Sequence, residues 1–127
     1  MAGNRNDSKG KKKILVYSCS GAANVAEVAD RVARELSGRG IGSMFCLAGL
    51  GAGIEGMIDT AREADLNVVI DGCPIDCARK IFENVGLGNF VQVRVTDKGV
   101  EKVHGARATD EQTRRVFDEV KKIIDEA

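Results

Sequence analysis

The four cysteines of this sequence are spaced so that they could form one chemical site. Cys46 lies 27 residues after Cys19 and 27 residues before Cys73, and Cys77 follows four residues later. Thiolates are preferred ligands of zinc and of iron–sulfur clusters, and they are also the nucleophiles of thiol redox chemistry. The sequence therefore directs attention to metal binding or thiol reactivity.

The run Asp71–Cys77, which reads D-G-C-P-I-D-C, is typical of a turn between a strand and a helix. It follows the apolar residues 66–70 and opens the amphipathic residues 75–85. Proline is favoured at the first helical position, so Cys73 is predicted at or near the N-cap and Cys77 one turn further on. Because a helix amino end favours thiolate over thiol, this pair suits a soft metal or thiol chemistry.

Apolar periodicity predicts the element order β-α-β-α-β-α-β-β-α. The first four strands are predicted at residues 13–18, 41–45, 66–70 and 91–95. Alternation of strands and helices indicates an α/β fold of the flavodoxin-like or Rossmann-like kind, a three-layer sandwich with a mostly parallel sheet of order 2-1-3-4. A tight-turn signal at residues 96–99 predicts that residues 100–103 return as an antiparallel edge strand.

Two helix starts carry capping signals in the sequence. Asn24 is a plausible N-cap, with Glu27 three residues later as in a capping box. At the last helix, Thr109 or Asp110 is the predicted cap.

Parallel strands end at the same edge of a sheet, and a cysteine follows each of the first three predicted strands. We therefore expect four converging thiolates, with Cys77 joining from the third helix. Zinc is favoured because the ligands come from separate loops of a preformed scaffold, although an iron–sulfur cluster stays open. Further candidates for direct or supporting contacts are Ser18, Ser20, Asp71 and Asp76. Alternatively, the two carboxylates serve only the turn and the helix start.

Composition limits the functional classes. The chain has 127 residues, 19 basic and 19 acidic, and no tryptophan, so dedicated nucleic-acid binding is not expected. Residues 1–12 are predicted to be a disordered basic tail before a single domain at residues 13–127. No apolar run is long enough for a membrane helix and no secretory signal is present, which favours a cytoplasmic protein with reduced cysteines.

Three other features of the sequence compete with the cysteine site. The run 51–56 spells G-x-G-x-x-G, but it does not follow the first strand, as a dinucleotide site requires. Phosphatases with a cysteine after the first strand need C-x5-R, and Val25 occupies the arginine position here. The single histidine, His104, is placed beyond the predicted edge strand and is interpreted as incidental, so cysteine nucleophilic catalysis ranks low.

The residues also resemble a known family. The run 71–78 is similar to the signature of the DGC-domain proteins, described as zinc-binding, and Cys19-Ser20-Gly21, Cys46 and residues 97–99 also fit that pattern, over roughly residues 14–103. The resemblance implies a zinc site at Cys19, Cys46, Cys73 and Cys77, and implies no established activity. We expect a metal sensor, carrier or accessory factor, with a thiol-based redox or sulfur-transfer enzyme as the alternative.

Overall fold

Four parallel strands form the sheet of the protein, whose computed structural model describes residues 12–127. The strands are β1 (Ile14–Ser18), β2 (Ser43–Met44), β3 (Leu66–Asp71) and β4 (Phe90–Arg94). They are ordered β2-β1-β3-β4, which confirms the predicted α/β class and strand order. The central strand β3 is a nearly continuous apolar run because it is buried on both faces.

Five α-helices surround this sheet within the described residues: α1 (Asn24–Gly38), α2 (Leu47–Gly51), α3 (Glu55–Glu63), α4 (Cys77–Asn84) and α5 (Asp110–Asp125). Helix α1 packs on β1, β2 and β3 and also contacts α5, while α4 packs on β3. Thr109, one of the two predicted caps, is the N-cap of α5 and forms a capping box with Gln112. None of these helices combines the length and apolar character needed to cross a membrane.

The strand register places the carboxyl ends of β1, β3 and β4 side by side. Ser18 is opposite Ile70, and Asp71 is opposite Arg94. Beyond β1, the backbone N–H of Cys19 still donates to the carbonyl of Ile70 at 3.1 Å. The loops that follow these three strands therefore start from neighbouring points on one edge.

Aromatic packing and a buried polar pair connect this sheet to α4. The ring of Tyr17 meets Phe82 edge-on, with 4.9 Å between the ring centroids. The Tyr17 hydroxyl donates to Asn67 Oδ1 at 2.6 Å, and the Asn67 amide donates to the carbonyls of Ala61 and Asn89. Burial raises the pKa of Tyr17. These polar groups are satisfied inside the core, so their burial carries little penalty.

The predicted antiparallel edge strand at residues 100–103 is wrong. Strand β4 ends at Arg94 and continues into the 3-10 turn η1 (Val95–Lys98), after which Gly99 adopts a left-handed φ of 82°. The chain then leaves the sheet and crosses to the start of α1. We call residues 99–108, which connect η1 to the N-cap of α5, the strap.

Asn24 holds one part of the strap and does not cap α1 as predicted. It is the first residue of α1 and only 3% exposed. Its side chain accepts from Val103 N–H at 2.7 Å and donates to the Glu101 carbonyl at 2.9 Å. A short polar side chain at a helix start can serve either role, and here the long-range contact prevails over the local cap.

Glu27 holds the other part of the strap. Its carboxylate accepts from the Arg107 guanidinium at 2.8 and 2.9 Å and from Ala108 N–H at 2.8 Å. The capping box predicted for Glu27 is therefore absent, because its side chain points to the strap. The tail predicted at residues 1–12 lies outside the described residues apart from Lys12, which is exposed and contacts the backbone oxygen of Ala127.

Replacing Glu27 by glutamine should destabilise the fold in a pH-dependent way. Hydrogen bonds from Arg107 and from the Ala108 N–H lower the pKa of Glu27 from 4.5 to about 2. A carboxyl group with a depressed pKa in the folded state stabilises it fully above pH 4.5. That contribution is lost as the pH falls from 4.5 to about 2. The wild type should therefore exceed Glu27→Gln in free energy of unfolding at neutral pH, and the difference should shrink across this window.

Urea unfolding at a series of pH values measures this difference. Glu63→Gln, which removes an exposed carboxylate at the end of α3, serves as the control. A difference for Glu27→Gln that is as large in acid as at neutral pH would show that the carboxylate does not stabilise the strap.

Candidate metal centre

A cleft of about 180 Å³ opens at the carboxyl edge of the sheet, where the loops after β1 and β3 meet the strap. Three of the four cysteines line it, namely Cys19, Cys73 and Cys77. Lys102 and His104 line it from the strap. We call this the cysteine cleft. It lies outside the carboxyl ends of parallel strands, the usual place for a site in an open α/β sheet.

Asp71 ends β3 and fixes the start of α4. Its side chain is only 1% exposed, and its two oxygens accept from the backbone N–H groups of Ala78 and Arg79 at 2.8 and 3.1 Å. These are two of the N–H groups that a helix start leaves unpaired, and a carboxylate there is also favoured by the helix dipole. Asp71 therefore serves the turn and the helix start, one of the two roles that the sequence left open for it.

Gly72 lets the loop after β3 approach the start of α1. A Cβ atom at this position would lie 3.0 Å from Ala26 N and from the carbonyl carbon of Val25, which are backbone atoms that cannot move cheaply. The Gly72 N–H donates to Cys19 Sγ at 3.2 Å. The glycine thus brings the loops after β1 and β3 together and directs a backbone donor at a thiol.

The loop from Cys73 to Cys77 differs from the predicted helix start. Cys73 and Asp76 close a turn, with Asp76 N–H donating to the Cys73 carbonyl at 3.1 Å, and α4 begins at Cys77. Pro74 therefore lies in the turn, where its fixed φ also fits, and not in the first helical position. Asp76 is the N-cap of α4 with a left-handed φ of 58°, a conformation that costs a non-glycine residue about 1–2 kcal/mol.

Two side chains of β4 hold Asp76 in this conformation. The Arg94 guanidinium donates to both Asp76 oxygens, at 2.9 and 2.8 Å, and Gln92 Nε2 donates to Asp76 Oδ1 at 2.8 Å. The same Gln92 amide reaches Asp71 at 3.0 Å. The Arg94 guanidinium, followed by Gln92, holds the pKa of Asp76 below its usual range. Asp76, which directly precedes Cys77, is therefore oriented from the neighbouring strand.

The thiols of the cleft lie in different surroundings. Cys19 is buried, Cys73 is half-buried and Cys77 is exposed. Burial raises the pKa of Cys19 from 9.0 to about 11, the Gly72 N–H opposes this, and the negative charges of Asp71, Cys77 and Cys73 add to it. The Lys102 ammonium lies 3.5 Å from Cys73 Sγ. A positive charge therefore accompanies thiols that become negative when they bind a metal.

Cys46 does not line the cysteine cleft. It is the exposed N-cap of α2, where its Sγ accepts from Gly49 N–H at 3.3 Å. Among the other candidates, Ser20, Asp71 and Asp76 line the cleft, whereas Ser18 does not. The glycine run 51–56 joins α2 to α3 and follows no strand directly, unlike a dinucleotide motif.

Sequence patterns did not single out Gln92 and Arg94, which support the cleft, or Lys102, which lines it. His104 was interpreted as incidental, whereas it lines the cleft. The polar alternation of β4 was the available signal for Gln92 and Arg94, because alternate residues of a strand share a face. Within residues 12–127, no three His, Cys, Asp or Glu side chains stand in an arrangement that could hold a metal ion. The cleft thus gathers soft donors without presenting a closed coordination sphere.

Substitutions of Asp76 test its left-handed backbone. Asp76→Gly and Asp76→Ala both remove the ion pair with Arg94. Only alanine also bears the steric cost of the left-handed conformation, so Asp76→Gly should be the more stable by about 1 kcal/mol in urea unfolding. The same pair at Lys80, an exposed residue within α4, should give the opposite order by about 1 kcal/mol. The same order of stability for the glycine and alanine variants at both positions would contradict the left-handed conformation of Asp76.

Comparison with known proteins identifies the family of the chain. Residues 15–120 match the family model of the DGC domain. The chain is 27% identical over 110 residues to the anaerobic and virulence modulator AnvM of Pseudomonas aeruginosa, a match that covers 87% of this chain and 84% of that protein. No solved structure matches the chain. Since the family model spans most of the sequence, the chain belongs to the DGC-domain family.

Proposed function

We propose that this protein binds a thiolate-preferring metal ion, zinc in the first place, in the cysteine cleft. The observation that carries the proposal is that Cys19, Cys73 and Cys77, which come from separate loops, line one cleft at the carboxyl edge. Cys46 stays a predicted fourth ligand, although it does not line the cleft. An iron–sulfur cluster is a less favoured occupant, because the thiols come from separate loops of a preformed scaffold.

The chemistry of the donors fits a zinc ion. Thiolates are soft ligands, and metal-bound sulfur is commonly supported by hydrogen bonds like the one that Gly72 N–H donates to Cys19. Lys102 offsets part of the negative charge that three thiolates bring. Binding would draw the thiol side chains inward, with Cys73 and Cys77 turning on the loop that Asp76 and Arg94 hold in place.

The role that we favour for this metal is regulatory, as a sensor, carrier or accessory factor. The relative in Pseudomonas aeruginosa is described as a modulator, which agrees with such a role. Thiol-based redox or sulfur-transfer chemistry is the second candidate, and the contact between the Lys102 ammonium and Cys73 Sγ is what favours it. Bound zinc would displace the thiol protons and occupy the sulfur atoms that such chemistry needs. The metal content of the purified protein therefore separates the two functions.

Metal analysis of wild type and cysteine variants tests the proposal. Protein purified under anaerobic, reducing conditions should carry about one zinc per chain. Cys73→Ser should lower zinc affinity at least ~100-fold in chelator competition, because a ligand is lost, and should leave far-UV circular dichroism unchanged. Cys46→Ser, the matched control, should have a smaller effect because Cys46 lies outside the cleft.

The outcomes separate the alternatives. Equal losses in Cys73→Ser and Cys46→Ser would establish a four-cysteine site. Metal-free protein whose four thiols titrate freely would refute metal binding and leave thiol chemistry as the function of the cleft. Visible absorption in the anaerobic sample would replace zinc by an iron–sulfur cluster.

A further inference from the structure

The cysteine cleft is also lined by a side chain of a metal-ligating type that is not a cysteine. His104 is the single histidine of the chain, and it lines the cleft together with Cys19, Cys73 and Cys77. We propose that His104 completes the coordination sphere, so that zinc is held by three thiolates and one imidazole. This inference rests on the proposed function and replaces Cys46 as the fourth ligand.

The backbone on both sides of His104 is fixed. Before it, Val103 exchanges hydrogen bonds with Asn24, whose side chain accepts at 2.7 Å and whose backbone N–H donates to the Val103 carbonyl at 3.3 Å. After it, Arg107 and Ala108 donate to Glu27 at 2.8–2.9 Å. Because Asn24 and Glu27 both belong to α1, the position of His104 follows from a helix of the core.

A turn directs this part of the strap around His104. Ala106 N–H donates to the Val103 carbonyl at 3.2 Å, and Gly105 supplies the left-handed φ of 83° that the turn requires. His104 is exposed at the mouth of the cleft. Its imidazole is therefore open to solvent on the side of the strap that borders the cleft.

Charge favours the imidazole over a fourth thiolate. Zinc with four thiolates has a net charge of −2, whereas zinc with three thiolates and a neutral imidazole has a net charge of −1. The cleft supplies one nearby cation, Lys102, whose ammonium lies 3.5 Å from Cys73 Sγ. The second ligand set is thus neutralised by the charge present, and it is an established combination for tetrahedral zinc.

Position also argues against Cys46 as the fourth ligand. It lies at the exposed N-cap of α2, outside the lining of the cysteine cleft. His104, by contrast, already lines the cleft.

The single histidine allows a direct chemical test on the full chain. Diethyl pyrocarbonate modifies imidazole, and the modification is followed by its ultraviolet band. Zinc should protect His104 from this reagent in the wild type and in Cys46→Ser, but not in Cys73→Ser, where the site is broken. Removing the zinc with a strong chelator should restore the original rate of His104 modification.

Affinity and spectroscopy supply the second readout. His104→Ala should lower zinc affinity by about 10- to 100-fold, while Val103→Ala, a matched control on the same strap, should leave it within about threefold. With Co²⁺ as the probe, His104→Cys should still bind and should gain thiolate charge-transfer intensity over the wild type. Far-UV circular dichroism checks that each variant is folded.

Failure of this inference differs from failure of the proposed function. If Cys73→Ser abolishes binding while His104→Ala does not change it, and zinc does not protect His104, the metal site stands and its fourth ligand is another group. If Cys46→Ser then weakens binding as much as Cys73→Ser, that group is Cys46. If the wild type binds neither zinc nor Co²⁺, both proposals are refuted.

Discussion

The cysteine cleft at the carboxyl edge of the sheet depends on the buried carboxylate of Asp71. A charge removed from water must be surrounded by donors, and Asp71 finds them in two N–H groups of α4 and in the amide of Gln92. Hydrogen bonds to a charged group contribute about 1.5–3 kcal/mol each. One side chain therefore fixes the start of α4 against β3 and β4, and Gly72 and Cys73 follow directly from it.

Asp71, Gly72 and Cys73 thus each meet a separate physical requirement of the fold. The carboxylate ties a helix to the sheet, the glycine permits contact with the backbone of α1, and the cysteine enters the cleft that this contact creates. Each of these three positions therefore leaves little freedom for substitution. A second polar network, in which Arg94 and Gln92 hold Asp76, then orients the loop between Cys73 and Cys77.

Sequence reasoning predicted the parallel sheet and its strand order because apolar periodicity and the crossover rules determine both. It predicted the strand-to-helix turn at residues 71–77 but placed the helix start too early, since proline is equally at home in a turn. It failed at residues 100–103, where a tight-turn signal is compatible with a hairpin and with a chain that leaves the sheet. Only the long-range contacts of Asn24 and Glu27 decide between these, and a local pattern does not contain them.

The equal spacing of Cys19, Cys46 and Cys73 led us to expect that these thiols converge, but Cys46 does not line the cleft that the other two share. Spacing along the chain locates a backbone position and says nothing of the direction of a side chain. Strand β2 has only two residues, and Cys46 turns to cap the short helix behind it. His104 was set aside because the predicted hairpin put it beyond the edge of the sheet, whereas the strap returns it to the centre of that edge.

The position of the strap along the chain has a consequence for biosynthesis. Its contacts with α1 join residues 77–81 positions apart, so they can form only after all four strands have emerged from the ribosome. Each nascent chain therefore passes through a stage in which every cysteine has been made and the wall that carries Lys102 and His104 has not. The four cysteines are thus synthesised before Lys102 and His104, so the walls of the cleft are completed in a fixed order.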